Sequence, residues 1–150
     1  MTTLKSPALL QGGTHIDSTG TLRFVNEFNF EQVKRFYQVK PKKKGDIRAF
    51  HGHMKETKYV YLIQGKALVC VVPISNSTNP AKNARVASFV LTEDDPKILY
   101  IPPGYANGFK ALTNNAQLIF YSDKTLEDSQ KDDYRFPENY WGNEIWQENA

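Results

Sequence analysis

Short runs of alternating apolar and polar residues, each closed by a turn signal, dominate this sequence. They fall at residues 21–26, 33–39, 46–53, 58–63, 66–73, 87–91, 97–101, 109–112 and 116–121. Alternation with period two marks strands with one buried face, and β-branched and aromatic side chains fill the runs. Gln64-Gly65, Asp94-Asp95-Pro96, Pro102-Pro103-Gly104 and Thr113-Asn114-Asn115 separate them with turn-forming residues. Residues 125–132 alone read as helical. Many short strands without a helical period predict an all-β fold, an antiparallel sandwich or barrel. The runs on either side of Gln64-Gly65, and those flanking Thr113-Asn114-Asn115, read as hairpins.

The two ends differ. Residues 1–13 are weakly patterned and read as an arm or irregular lead. The last segment carries Tyr134, Phe136, Tyr140, Trp141 and Trp146. So many aromatic rings are costly to leave in water, so this tail is expected to pack across the body or against a partner subunit. With 150 residues and no composition break, the chain reads as a single domain over 1–150.

Charge and cysteine content narrow the partners. The formal net charge is +3, and Lys40-Pro41-Lys42-Lys43-Lys44 supplies much of it. One lysine run before Gly45-Asp46 reads as a solvated loop, not as a nucleic-acid surface. No apolar stretch has membrane-spanning length, and the first residues lack a signal-peptide pattern. The single Cys70 sits in an apolar run, allows no intrachain disulfide and fits a reducing cytoplasm. It reads as a buried apolar residue, not a nucleophile.

Chemistry concentrates between Ile47 and Tyr59. His51 and His53, one residue apart, share a face of an extended strand, with Arg48 before them and Lys58 after. Were all four to face one cavity, it would hold two imidazoles and two positive charges. Such a cavity suits a phosphorylated or otherwise anionic small molecule and proton transfer near neutral pH. The bland alternative is a polar edge strand with two surface histidines. His15 has no evident partner.

In this setting the chain resembles the cupin jelly rolls, double-stranded β-helices, here with a short helical or irregular C-terminal tail. The first cupin motif is matched by Gly45, His51, His53 and Gly65, but Thr57 or Lys58 stands where the motif has a glutamate. In the second motif, Pro102-Pro103-Gly104-Tyr105-Ala106 is followed by Asn107 where the motif has a histidine. Two of the four metal ligands are thereby missing, and a lysine ammonium would repel a divalent cation. The site is expected to be metal-free and to need no cofactor.

Two metal-free branches are visible. Arg48-Ala49-Phe50-His51 and Ile101-Pro102-Pro103-Gly104-Tyr105-Ala106-Asn107-Gly108-Phe109 resemble segments of the dTDP-4-dehydrorhamnose 3,5-epimerases, and 135–146 resembles the ending of their short members. Val33-Lys34-Arg35-Phe36-Tyr37 and His51-Gly52-His53 resemble the dTDP-4-keto-6-deoxyglucose 3,4-ketoisomerases. The resemblance implies a cytoplasmic homodimer acting on a nucleotide-linked 4-keto-6-deoxy sugar in deoxysugar and surface-polysaccharide biosynthesis. It implies His51 as the base, His53 as a second histidine facing the substrate, and Tyr37 as an acid or positioning group. Arg48 and Lys58 would hold the diphosphate or the enolate oxygen, with Asn107, Tyr105 and Phe120 lining the pocket.

Departures accompany the likeness. The epimerase tyrosine on the strand after Pro-Pro-Gly falls at Phe120, and Tyr121 serves only if a bulge restores its face. The carboxylate that orients the histidine falls near Asn139. Neither asparagine, 107 or 139, ionises near neutral pH. Three readings therefore stay open: an epimerase, a ketoisomerase, and a catalytically silent sugar-nucleotide binder. A metal-dependent oxygenase is more distant.

Overall fold

The structure, a computed structural model, describes residues 5–148. Two five-stranded sheets face each other. The first runs in the order β1 (Ala8–Gln11), β9 (Lys97–Ile101), β6 (Lys58–Gln64), β11 (Gln117–Ser122), β4 (Arg35–Val39). The second runs β12 (Tyr134–Arg135), β5 (Ile47–His53), β10 (Tyr105–Ala111), β7 (Lys66–Pro73), β8 (Ala87–Thr92). A separate ribbon pairs β2 (Gly13–Asp17) with β3 (Gly20–Phe24); a short α-helix, α1, spans Leu126–Gln130, and a 3-10 turn spans Glu144–Trp146. The all-β jelly-roll expectation holds.

Alternation explains the layering. Val60 and Leu62 of β6 and Leu118 and Phe120 of β11 meet Val69 and Val71 of β7 and Phe109 of β10 in one core between the sheets. Each buried side chain of this size contributes roughly 1.5–3 kcal/mol. The other face of the second sheet is also apolar, with Phe50, Leu68, Cys70 and Val72. The C-terminal segment covers it, so the aromatic tail packs across the body. Trp141 stands edge-on to Phe50 at 4.8 Å, and Trp146 lies 5.4 Å from the same ring. Both indole N–H groups donate to backbone carbonyls, Trp141 to Ala81 and Trp146 to Glu138. Burial pushes the Cys70 thiol up to about 11, which keeps it an inert core atom.

Three local expectations are corrected. The strands flanking Gln64-Gly65 do not form a hairpin: β6 pairs with β9 and β11, β7 with β10 and β8. The strands flanking 113–115 likewise part, β10 joining the second sheet and β11 the first. A turn signal fixes a reversal of direction, but long-range pairing decides which sheet each arm joins. Gly65 makes the first crossover at φ +78°, where a Cβ would stand 2.3 Å from the Thr113 hydroxyl. The third correction concerns the lead, which contains β1 and the start of β2; residues 1–4 of it lie outside the described residues. Strand β1 is a short edge strand whose pairing with β9 supplies what its pattern lacks.

One irregularity shapes the site. On β5 and β10, Asn107 pairs with His51 and Phe109 with Arg48, so Ala49 and Phe50 together oppose Gly108. This β-bulge adds one residue to β5 and resets its alternation. Arg48 and His51, three apart, consequently face inward together while Phe50 turns out to the tail. A Cβ on Gly108 would stand 2.3 Å from the Ala49 Cβ, so the bulge requires glycine there.

Candidate active site

Between the sheets, at the end nearest α1, lies an open cavity of about 240 Å³. Strand β4 contributes Arg35, Tyr37 and Val39 to one wall, joined by Lys58 of β6 and Phe120 of β11. The opposite wall holds Arg48, His51 and His53 of β5 with Asn107 and Phe109 of β10. Leu126, Ser129, Asp133 and Arg135 complete the rim. The bulge and the period-two spacing thus bring the four residues of the Ile47–Tyr59 stretch into one cavity.

His53 is fixed by its surroundings. It is buried, and its Nδ1 lies 2.7 Å from the Asp132 carbonyl oxygen. A carbonyl only accepts, so Nδ1 carries the proton and the neutral ring presents a lone pair at Nε2. That Nε2 is buried and has no hydrogen-bond partner. Burial, reinforced by the Lys58 charge, lowers the His53 pKa and favours this neutral form. The clamp behind it is Asp132, whose carboxylate accepts from the backbone N–H groups of Met54, Lys55 and Glu56.

His51 is more open, with 23% of its side chain exposed. Its Nδ1 lies 3.8 Å from the Asp133 carboxylate. Burial first, then the Lys58 and Arg135 charges, holds the imidazole down to about 4. Both histidines are therefore neutral at pH 7 and able to accept a proton. Lys58 is brought down to about 8, burial being the main cause and Glu56 opposing it. It stays mostly cationic at neutral pH and donates to the Tyr37 hydroxyl at 2.8 Å. Tyr37 stacks on Phe120 with centroids 5.1 Å apart and planes within 4°. Burial, with Glu56 reinforcing it, pushes the Tyr37 phenol above its ordinary range, so it is a neutral O–H.

Other predicted residues sit differently. Asn107 is buried, lines the cavity and reaches the His51 carbonyl oxygen at 3.4 Å. Phe120 also lines it, but Tyr105 packs against the core between the sheets, away from the cavity. Tyr121 is corrected outright. It pairs in register with Phe36 and Tyr59, no bulge falls between it and Phe120, and its ring packs against Phe28 and Phe30 on the outer face. The carboxylate beside His51 is Asp133, whereas Asn139 lies on the exposed tail. Sequence reading also passed over Arg35, although its period-two spacing from Tyr37 pointed to the same face. His15 pairs with Asp17 on the exposed ribbon, 3.3 Å apart. Among the described residues, no group of three or more His, Cys, Asp or Glu could hold a metal ion.

A jelly roll with a histidine-rich, cationic cavity between its sheets defines the class. The family model described as dTDP-4-dehydrorhamnose 3,5-epimerase matches residues 12–140, and the chain belongs to that family. A spore coat polysaccharide biosynthesis protein, SpsL of Bacillus subtilis, is 28% identical over 94 residues, covering 62% of this chain and 61% of that protein. Among solved structures, the RmlC epimerase of Mycobacterium tuberculosis superposes with a TM-score of 0.76 at 18% identity, covering 97% of this chain and 76% of that one. The 3,4-ketoisomerase QdtA of Thermoanaerobacterium thermosaccharolyticum, solved with TDP, superposes with a TM-score of 0.68 at 19% identity. That match covers 93% of this chain and 94% of QdtA. At these identities the structural likeness speaks for the fold.

Proposed function

We propose that this chain is an isomerase of nucleotide-linked 4-keto-6-deoxy sugars, an epimerase working by proton abstraction next to the ketone. The observation that carries the reading is a cavity with two neutral imidazoles on one wall and a Lys58–Tyr37 pair on the other. A C4 ketone acidifies the neighbouring C–H, and removal of that proton leaves an enolate needing a cation or donor. His51 takes the proton, because Asp133 stands beside it to balance the imidazolium. The Lys58 ammonium meets the enolate oxygen. Tyr37, from the opposite sheet, is the hydroxyl placed to return a proton from the other face. Arg48 and Arg35 hold the diphosphate, and thymidine diphosphate is the carrier that the likeness to QdtA supports.

The ketoisomerase reading is favoured by a separate observation. Phe120 offers no hydroxyl, and His53 presents a second base beside His51 on the same wall. Moving the ketone from C4 to C3 shuttles protons along one face, for which two adjacent bases suffice. The relation to SpsL supports a place in polysaccharide biosynthesis. A homodimer is proposed as the working form, with the aromatic outer face of the first sheet as its contact. NMR of the protein with dTDP-4-keto-6-deoxyglucose in D2O tests the reading. Deuterium entering C3 or C5, and not in His51→Ala, is the expected result. A shifted ketone selects the isomerase, and saturable binding without exchange selects the silent binder.

A further inference from the structure

Glu56 lies below the cavity floor with a fully buried side chain. Its carboxylate accepts the hydroxyls of Ser122 at 2.7 Å and Ser129 at 2.6 Å. It also stands 3.9 Å from the Lys58 Nζ and 3.5 Å from the Arg35 guanidinium. It therefore ties β4, β6, β11 and α1 together at one point. A carboxylate completely removed from water is costly unless paired, and hydrogen bonds from two neutral hydroxyls alone do not balance its charge. The two cations beside it do, and both line the cavity.

We propose that Glu56 is a positioning residue that keeps Lys58 cationic and holds its ammonium against Tyr37 under the substrate. Lys58 meets a hostile field otherwise. Arg35 comes at it from β4 and Arg48 from β5, both like charges, and His51 and His53 are neutral. Asp133 and Glu56 are the acids that oppose burial, Glu56 being the stronger influence. With Glu56 neutralised, the ammonium would lose its nearest counter-charge and shed its proton at a lower pH. An electrophilic cation would then be missing at neutral pH, where the proposed enolate forms. The inference rests on that reading for its catalytic meaning, but the Glu56–Lys58 coupling itself needs no substrate.

Direct titration tests it. The protein is labelled with [15N]lysine and the Lys58 Nζ resonance assigned by its loss in Lys58→Arg. In Glu56→Gln, which keeps size and hydrogen-bonding capacity toward both serines, the Lys58 midpoint is expected to fall by about one to two pH units. Glu56→Asp, which keeps the charge but withdraws it by one methylene, is expected to give an intermediate midpoint and serves alone should the glutamine variant not fold. Ser122→Ala, which removes one hydrogen bond and no charge, is expected to leave the midpoint in place. If the protein turns over keto sugar, the alkaline limb of kcat/KM, which reports the free enzyme, moves in Glu56→Gln by the same shift. A midpoint equal to the native one in both Glu56 variants overturns the proposal. A shifted midpoint in a protein that exchanges no hydrogen of any 4-keto sugar supports the coupling and overturns only the isomerase reading.

Discussion

At the residue scale, protonation states separate the candidate groups. His51 sits near 4 and Lys58 near 8, and each is needed in the form that dominates between those values. An imidazole with a lowered pKa becomes a base as pH rises through that value, and a lysine loses its charge as pH rises through its own. The exchange rate is therefore expected to climb above about pH 4, hold through neutrality and fall as pH passes about 8. A pH profile of solvent-deuterium incorporation checks this, and a rate still rising above pH 9 would remove Lys58 from the reaction. The two tyrosines divide cleanly as well. Tyr37→Phe is expected to slow exchange on the order of 10²- to 10⁴-fold, the usual range for a lost acid–base group. Tyr121→Phe is expected to leave it unchanged, because that ring faces Phe28 and Phe30 outside the sheet. Sequence spacing raised the doubt about Tyr121, since a one-residue offset on a strand changes its face, whereas Tyr37 was implied by the resemblance alone. It could not give Asp133, which reaches His51 only after α1 turns the chain back over β5.

At the element scale, the bulge in β5 is what lets an arginine and a histidine three residues apart share one cavity. Simple alternation would have sent them to opposite faces. The histidine pair was legible from its spacing, being two apart and beyond the bulge; the Arg48–His51 pairing was implied only by the resemblance, because nothing in Arg48-Ala49-Phe50-His51 itself marks an extra residue. The mark lies on the partner strand, at Gly108, where a side chain would meet Ala49. Gly108→Ala is accordingly expected to destabilise the fold by about 1–3 kcal/mol, the usual cost of overpacking. It is also expected to move Arg48 and His51 relative to each other. Denaturant unfolding measures the first effect and a weakened affinity for thymidine diphosphate the second. A variant with native stability and native affinity would mean that β5 absorbs the methyl group without shifting. The mistaken hairpins have the same origin as the hidden bulge. Each was a property of pairing between distant strands, which the local pattern of one strand does not contain.

At the scale of the whole molecule, the two sheets have different outer faces. The second is covered by the chain's own aromatic tail; the Trp, Tyr and Phe content announced that the tail would be buried, but left open whether on this body or on a partner subunit. The first is not so covered. Phe28, Phe30, Phe36, Tyr59, Tyr100 and Tyr121 form a connected ring cluster there, with Phe30 60% and Phe36 65% exposed. Contiguous aromatic surface of this kind is expensive in water and marks an interaction site. A second copy of the chain is the occupant we propose for it, since a two-fold contact would match one patch with itself and bury the same rings twice. A stable contact of this sort needs about 800 Å² from each partner, which a face of a five-stranded sheet can supply. Phe36→Glu places a charge at the centre of such a contact while leaving the inward face of β4, with Arg35 and Tyr37, untouched. Light scattering after size exclusion is expected to find the native protein dimeric and this variant monomeric, with the thermal transition of an isolated subunit retained or modestly lowered. A native protein that runs as a monomer at micromolar concentration would remove self-association as the reason for the exposed rings.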